Sequence, residues 1–280
     1  MMEFGKGNEF RRPSLLERAG RPFRNRLTDP RLKRPLKRLY EGLLDALPGD
    51  RLVSRFPHGE TVRLAAAYRQ VMWNPEEYEA FHRAVTPGST VLDIGANLGA
   101  YTILLAQWVG ATGRVHAFEP APGAREGLLR HVALNGMSDR VEVHGEAVSL
   151  APGVARFAAT DSRGDNRLTP DDAPGGIEVE TTSVDAFCGA HGIAPGFIKV
   201  DVEGAELDLL RGARDTIASA GGALGLYMEI HPHLWSAFGY GRADLEEELR
   251  RQRLRPERLD GGADPWALAG VCLRLRPCGS

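Results

Sequence analysis

The chain has 280 residues, enough for one full α/β domain with an added segment and too few for two large domains. Hydrophobic residues make up 42% and charged residues 26%, and 35 Lys and Arg against 37 Asp and Glu leave a net charge of -2, which argues against a surface built as a whole for nucleic acid. No apolar run has the length of a membrane span, no apolar leader opens the chain, and Cys188, Cys272 and Cys278 lack disulfide or metal-ligand spacing; a cytoplasmic protein without a membrane partner is expected.

The first forty residues are rich in arginine (Arg11, Arg12, Arg18, Arg21, Arg24, Arg26, Arg31, Arg34 and Arg38) and read as a solvated arm, with a cationic lid or docking surface as the alternative. Leu32, Leu36, Leu39, Leu43 and Leu44 place a helix over 31–47, which could serve as a homodimer contact, and Pro57-His58-Gly59 turns a hairpin over 51–66. Residues 1–70 are therefore read as a basic extension of arm, helix and hairpin, and 71–280 as the main domain. Asn74-Pro75-Glu76-Glu77 starts a helix running to Val85: an Asn cap, Pro at the first position and acids in the first turn. From Thr90 the pattern becomes strand–helix alternation. Strands are expected at 90–94, 114–118, 141–144, 177–182, 197–202, 224–230 and 267–275, with helices at 98–109, 123–134, 205–217 and 244–253. That alternation implies a mostly parallel, doubly wound α/β sheet with helices on both faces and a ligand at the strands' carboxyl ends.

The first strand–helix turn reads Asp93-Ile94-Gly95-Ala96-Asn97-Leu98-Gly99-Ala100-Tyr101-Thr102. Gly95 and Gly99 let the backbone turn sharply against a ligand. A dinucleotide fingerprint would place glycine where Asn97 stands, and Asp93 would repel a pyrophosphate. The same acid favours the cationic ammonium and sulfonium of S-adenosylmethionine. The second strand ends in Glu119-Pro120, where an acid can accept hydrogen bonds from both ribose hydroxyls. Glu146 and Ala147 follow the third strand and can read the adenine edge. Asp161, Arg163, Asp165, Asn166 and Arg167 form a solvated turn or a gate over the pocket.

The stretch 91–102, the strand end Phe118-Glu119-Pro120, the segment Lys199-Val200-Asp201-Val202-Glu203-Gly204-Ala205-Glu206 and Met228-Glu229-Ile230-His231-Pro232 together resemble the FkbM family of methyltransferases. The resemblance covers roughly residues 72 to 235, and the Lys199–Glu206 segment is its most specific part. It implies a class I methyltransferase (Rossmann-like) fold with a seven-stranded sheet, S-adenosylmethionine as donor and methylation of an oxygen. It also implies acceptors such as sugars, glycan components or hydroxyls of secondary metabolites.

An alcohol must lose its proton to be methylated, so a general base or a metal is useful. Lys199, Asp201 and Glu203 share one side of their strand, and three charges there are costly unless they line a cleft; a buried Lys199–Asp201 ion pair is the alternative. Glu229, His231 and His233 leave the sheet beside them. His231 is the expected base because its ordinary pKa lies near neutrality, with Glu229 to orient it. Asp201, Glu229 and His231 could hold a divalent cation, but no close-spaced ligand motif calls for one and no metal is assigned. A small-molecule hydroxyl acceptor is expected. N-methylation or a larger glycan or macromolecular acceptor is the alternative. No stacking aromatic of the kind that holds a flipped base follows the Lys199 strand.

Overall fold

The computed structural model describes residues 52–158, 167–169, 176–266 and 270–279. The arginine-rich segment, its expected helix over 31–47 and the dimer contact assigned to that helix lie outside these, as do Asp161, Arg163, Asp165 and Asn166.

The chain begins with a hairpin, β1 (Leu52–Arg55) and β2 (Thr61–Leu64), paired antiparallel around the expected turn. Glu60, at the end of that turn, is buried: Oε2 accepts from the Tyr78 hydroxyl at 2.6 Å and Oε1 from the Trp108 indole at 2.6 Å. Burial works against its charge, but these bonds hold its pKa below the usual value. Helix α1 (Pro75–Ala84) is capped by Asn74, whose side chain accepts from the Glu76 and Glu77 amides, and it ends one residue before the expected limit.

Alternation then delivers β3 (Thr90–Ile94), α2 (Ala100–Val109), β4 (Arg114–Phe118), α3 (Pro122–Leu134) and β5 (Val141–His144). Next come β6 (Ala147–Val148), β7 (Gly153–Ala158), β8 (Arg167–Thr169), β9 (Ile177–Thr182) and α4 (Val184–His191). The last part contains β10 (Phe197–Val200), α5 (Glu206–Arg211), α6 (Arg214–Ser219), β11 (Gly225–Ile230), α7 (Arg242–Arg251), β12 (Leu254–Arg258) and β13 (Val271–Pro277). The main sheet has seven strands in the order β12-β13-β11-β10-β3-β4-β5, and β13 runs antiparallel to both its neighbours. Side chains of β3 alternate between two cores: Val91 packs with the hairpin and α2, Leu92 and Ile94 with α4, α5 and α7.

Several boundaries differ from the sequence reading. The strand expected to reach Val202 stops at Val200, because Glu203 and Gly204 take left-handed φ of 47° and 99° and turn the chain out of the sheet. The single helix expected over 205–217 is two. At the break a Cβ on Gly212 would stand 2.4 Å from the Ser149 carbonyl, so the loop after β6 packs directly on the backbone there. The strand at 177–182 belongs to a separate four-stranded sheet, β6-β9-β7-β8, which with α4 and β12 the sequence reading did not resolve. Among the described residues no helix is long and apolar enough to cross a membrane.

Candidate active site

The β3 and β10 strands are parallel neighbours, and the chain leaves them toward opposite ends of the sheet, so a crevice opens at their carboxyl ends. One cavity there is lined by Gly95, Asn97, Glu119, Pro120, Glu146, Ala147, Asp201, Val202 and Glu203, and spans about 580 Å³ with its mouth. Phe157 of β7 and Leu168 of β8 close its far wall, a contribution no sequence motif announced.

The glycine-rich loop is shaped by contacts that only glycine permits. Gly95 has φ 76°, and a Cβ on it would lie 1.8 Å from the Asp201 carbonyl oxygen. Gly95 and Ala96 both donate their amides to the Phe118 carbonyl, and Gly99 donates to the Ala96 carbonyl. Glu119 accepts the Asn97 amide on Oε2 at 2.7 Å and the Ala121 amide on Oε1 at 2.8 Å. Burial pushes its carboxyl up to about 7, against the pull of those two amides. Each oxygen keeps a lone pair for a ligand hydroxyl. Together with the glycine cradle this acid suits an adenosyl group, with Gly95, Asn97, Glu119, Pro120, Glu146 and Ala147 to hold it.

Other expected cofactor contacts stand behind the cavity wall. Asp93 has no exposed surface: Oδ2 accepts from the Thr102 hydroxyl at 2.6 Å, and Oδ1 has no hydrogen-bond partner and lies 3.7 Å from Lys199 Nζ. The direct contact expected between Asp93 and a ligand cation is thus not open, and Asp93 acts by fixing Thr102 and Lys199. Tyr101 is buried with its hydroxyl at the Asn74 backbone (2.9 Å to the amide), so Ala96, Gly99, Tyr101 and Thr102 support the loop rather than line the cavity.

The second wall is made of charged side chains. Lys199 is buried, 3.6 Å from Asp201 Oδ2, 3.7 Å from Asp93 Oδ1 and 3.5 Å from the Gly95 carbonyl. Burial disfavours its charge, but Asp201 and Asp93 outweigh that and raise its pKa. It is the ion-pair partner of the alternative reading, fixed as a cation. His231 faces four carboxylates: Nδ1 is 2.9 Å from Glu206 Oε1, and Nε2 is 3.5 Å from Glu229, 3.6 Å from Glu203 and 3.9 Å from Asp201. Burial alone would lower its pKa, but the bonds to Glu206 and Glu229 push it up to about 11. The reason for choosing His231 as base, a pKa near neutrality, therefore fails: at neutral pH it is an imidazolium. Its Nε2 lies close enough to Asp201 and Glu229 to form a ligand group with them, and a cation bound there would have to displace the imidazolium proton.

Among these acids, exposure separates two kinds. The side chains of Asp201, Glu229 and Glu203 remain 29%, 28% and 24% exposed, whereas that of Glu206 has 0% exposure. Glu206 also accepts from the His231 amide, the Trp235 indole and the Tyr240 hydroxyl, and these with the charge of His231 keep it ionised despite burial. Burial and the nearby Glu229 raise the Asp201 carboxyl, opposed by Lys199 and His231, and burial pushes Glu203 up to about 7. Glu77 of α1 joins the cluster: burial, then the charge of Glu229, pushes it up to about 8. In the sequence Glu77 reads only as a helix-start acid and Glu206 only as part of a motif. Among the described residues His233 makes no polar contact with the carboxylates; its ring meets His231 edge-on at 6.2 Å.

A doubly wound sheet whose crevice joins a nucleoside-shaped wall to an acidic wall defines a class I methyltransferase. Residues 93–254, more than half of the chain, match the methyltransferase FkbM domain, and the chain belongs to that family. Its methyl donor is S-adenosylmethionine. Comparison with curated proteins finds no match. Solved structures similar to it include a proposed rRNA methylase from Clostridium thermocellum (14% identity, 72% of this chain and 95% of that one, TM-score 0.46). Others are an S-adenosylmethionine-dependent O-methyltransferase from Thermotoga maritima (14%, 81% and 78%, 0.44) and an S-adenosylmethionine-dependent methyltransferase from Aquifex aeolicus (16%, 72% and 88%, 0.40).

Proposed function

We propose that the protein methylates a hydroxyl oxygen of a small-molecule acceptor, with Asp201 as the base. The observation that carries this reading is that Asp201, a half-open carboxylate, lines the same cavity as the cofactor-shaped wall. S-adenosylmethionine, when bound, supplies an electrophilic methyl on a sulfonium. The chain supplies the rest. Asp201 is held between Lys199 on Oδ2 and His231 on Oδ1, which fixes its orientation and leaves it able to take the hydroxyl proton. Its raised pKa brings it toward the pH at which a base is most effective. The His231 imidazolium presents Nε2 to the acceptor oxygen as a donor, and Glu206 on Nδ1 sets the ring's direction. Glu229 and Glu203 flank this position and suit the remaining hydroxyls of a polyol such as a sugar.

The test is incubation of the purified protein with methyl-labelled S-adenosylmethionine and separate acceptor sets: monosaccharides and glycosides, hydroxylated polyketides and phenols, amines, and oligosaccharides. Products are assigned by mass spectrometry and by the chemical shift of the labelled methyl carbon. An O-methyl product from a small hydroxylated acceptor, lost in Asp201→Asn, is expected. An N-methyl product, or turnover only on oligomeric acceptors, overturns the reading.

A further inference from the structure

Outside the crevice, on the face of β4 and β5 covered by α4, two histidines and a glutamate converge. Parallel pairing sets His116 beside Glu142 and Phe118 beside His144, so all four side chains share one face. His116 Nδ1 stands 3.1 Å from His144 Nε2 and 3.6 Å from Glu142 Oε2. One ligand atom from each residue lies within 4.8 Å of the others. Two nitrogens facing each other at that distance cannot both carry a proton, so at least one lone pair points into the gap. Two imidazoles on one tetrahedral Zn²⁺, each about 2.0 Å from it, would hold their nitrogens about 3.3 Å apart. The observed separation needs little adjustment.

We propose that His116, Glu142 and His144 form a binding site for a divalent transition ion of the Zn²⁺ type, apart from the methyl-transfer crevice. The surroundings suit it. Phe187 lies against both imidazoles, at 5.3 Å from His116 and 4.9 Å from His144, and Phe118 stacks on His144 at 4.7 Å. These rings keep the inner side of the site apolar and dry. His144 offers Nε2 to the gap while its Nδ1 faces Glu146 Oε2 at 3.9 Å, an electrostatic neighbour on the side away from the gap. Glu142 is exposed, and a depression lined by Arg114, His116, Ser138 and Arg140 gives entry and room for a water in the fourth position. Imidazole with one carboxylate favours Zn²⁺, Co²⁺ or Ni²⁺ over Mg²⁺ or Ca²⁺. The site also touches the cofactor wall from behind, since the Glu119 amide donates to the His144 carbonyl and Glu146 lines the cavity.

Calorimetric titration of the untagged full chain with Zn²⁺, and with Co²⁺ read by visible absorption, tests this. One equivalent is expected to bind, with a tetrahedral Co²⁺ spectrum. Glu142→Gln should weaken binding about tenfold or more, and His144→Gln should abolish it. Asp201→Asn should leave it unchanged. Glu142 is on the surface, so its variant keeps the fold, and a Zn²⁺-dependent rise in Tm present in wild type and diminished in Glu142→Gln is the second readout. No stoichiometric binding overturns the proposal. Binding that survives both Glu142→Gln and His144→Gln, or that disappears in Asp201→Asn, also overturns it, the latter by placing the ion at the acceptor wall.

Discussion

The two walls of the crevice are built by different physics. On the cofactor side the geometry is set by backbone: Gly95 and Ala96 share the Phe118 carbonyl, and both Glu119 oxygens are held by amides. On the acceptor side it is set by side-chain charges balanced against one another, with Lys199 and His231 facing Asp93, Asp201, Glu203, Glu206 and Glu229. A backbone-built wall is stiff and tolerates changes of charge better than changes of shape. A charge-built wall tolerates small changes of shape but loses its chemistry when one carboxylate is neutralised. The first is suited to holding the same adenosyl group in every turnover, the second to proton transfer.

The sharpest way to break this contrast is Asp201→Asn. The amide keeps the shape of the cavity but cannot take a proton. Turnover should fall by about 10²–10⁴-fold, while the Kd for S-adenosylmethionine moves little. In wild type, the acid limb of the kcat profile should lie above the ordinary carboxylate value of about 4, as burial and Glu229 raise this group. A limb at the ordinary value, or a variant that turns over normally, would remove Asp201 from the role of base.

Next in size is Glu206→Gln, which tests whether the charge-built wall has a structural floor. Glu206 holds His231, Trp235 and Tyr240 with no exposure of its own, and removing one partner of a buried pair costs about 3–5 kcal/mol. The pH dependence follows from the signs. His231, raised to about 11 in the folded state, contributes stability that is whole below its unfolded value of about 6.5 and is lost as pH rises toward 11. Glu206, with its pKa lowered, contributes above its unfolded value of about 4.3 and loses that as pH falls. The gap between wild type and variant in chemical denaturation should therefore be widest near pH 5–6 and close toward pH 11. A gap independent of pH would mean that Glu206 acts by packing alone.

The same contrast explains what was legible in the sequence. Gly95, Asn97, Glu119 and Pro120 could be placed because left-handed turns and strand ends leave local marks. Asp201, Glu229 and His231 could be brought together because β10 and β11 are neighbours and their ends must meet. The protonation of His231 could not be read, since it depends on Glu206, which turns back to it from a helix twenty-five residues earlier. Glu77 reaches the cluster from a helix before the first strand of the main sheet, Leu168 reaches the cavity from a strand of three residues, too short to carry a period, and Phe157 from a strand in the separate four-stranded sheet. Asp93 shows the opposite case: its type and position were evident, but only packing shows that Thr102 and Lys199 enclose it.

On the cofactor side, Gly95→Ala probes shape without charge. A Cβ at φ 76° and 1.8 Å from the Asp201 carbonyl forces the loop off the end of β10. Strain of about 1–3 kcal/mol at one residue corresponds to a Kd for S-adenosylmethionine raised by about 10–100-fold. Calorimetry that shows unchanged affinity would mean that the loop can move away from β10 without loss of its ligand.

The smallest expected effect belongs to Glu119→Gln, and it separates the walls most cleanly. The substitution keeps the size of the side chain, but one oxygen becomes an amide nitrogen, which cannot accept the backbone amide of Asn97 or Ala121 that it then faces. A hydrogen bond to a charged group is worth about 1.5–3 kcal/mol, so the Kd for S-adenosylmethionine should rise by about tenfold or somewhat more. At saturating cofactor, kcat should stay within about twofold of wild type, because the interaction is made equally before and during transfer. If instead kcat falls and Kd does not, Glu119 influences the acceptor wall through the loop it shares with Asp201, and the two walls work as one unit.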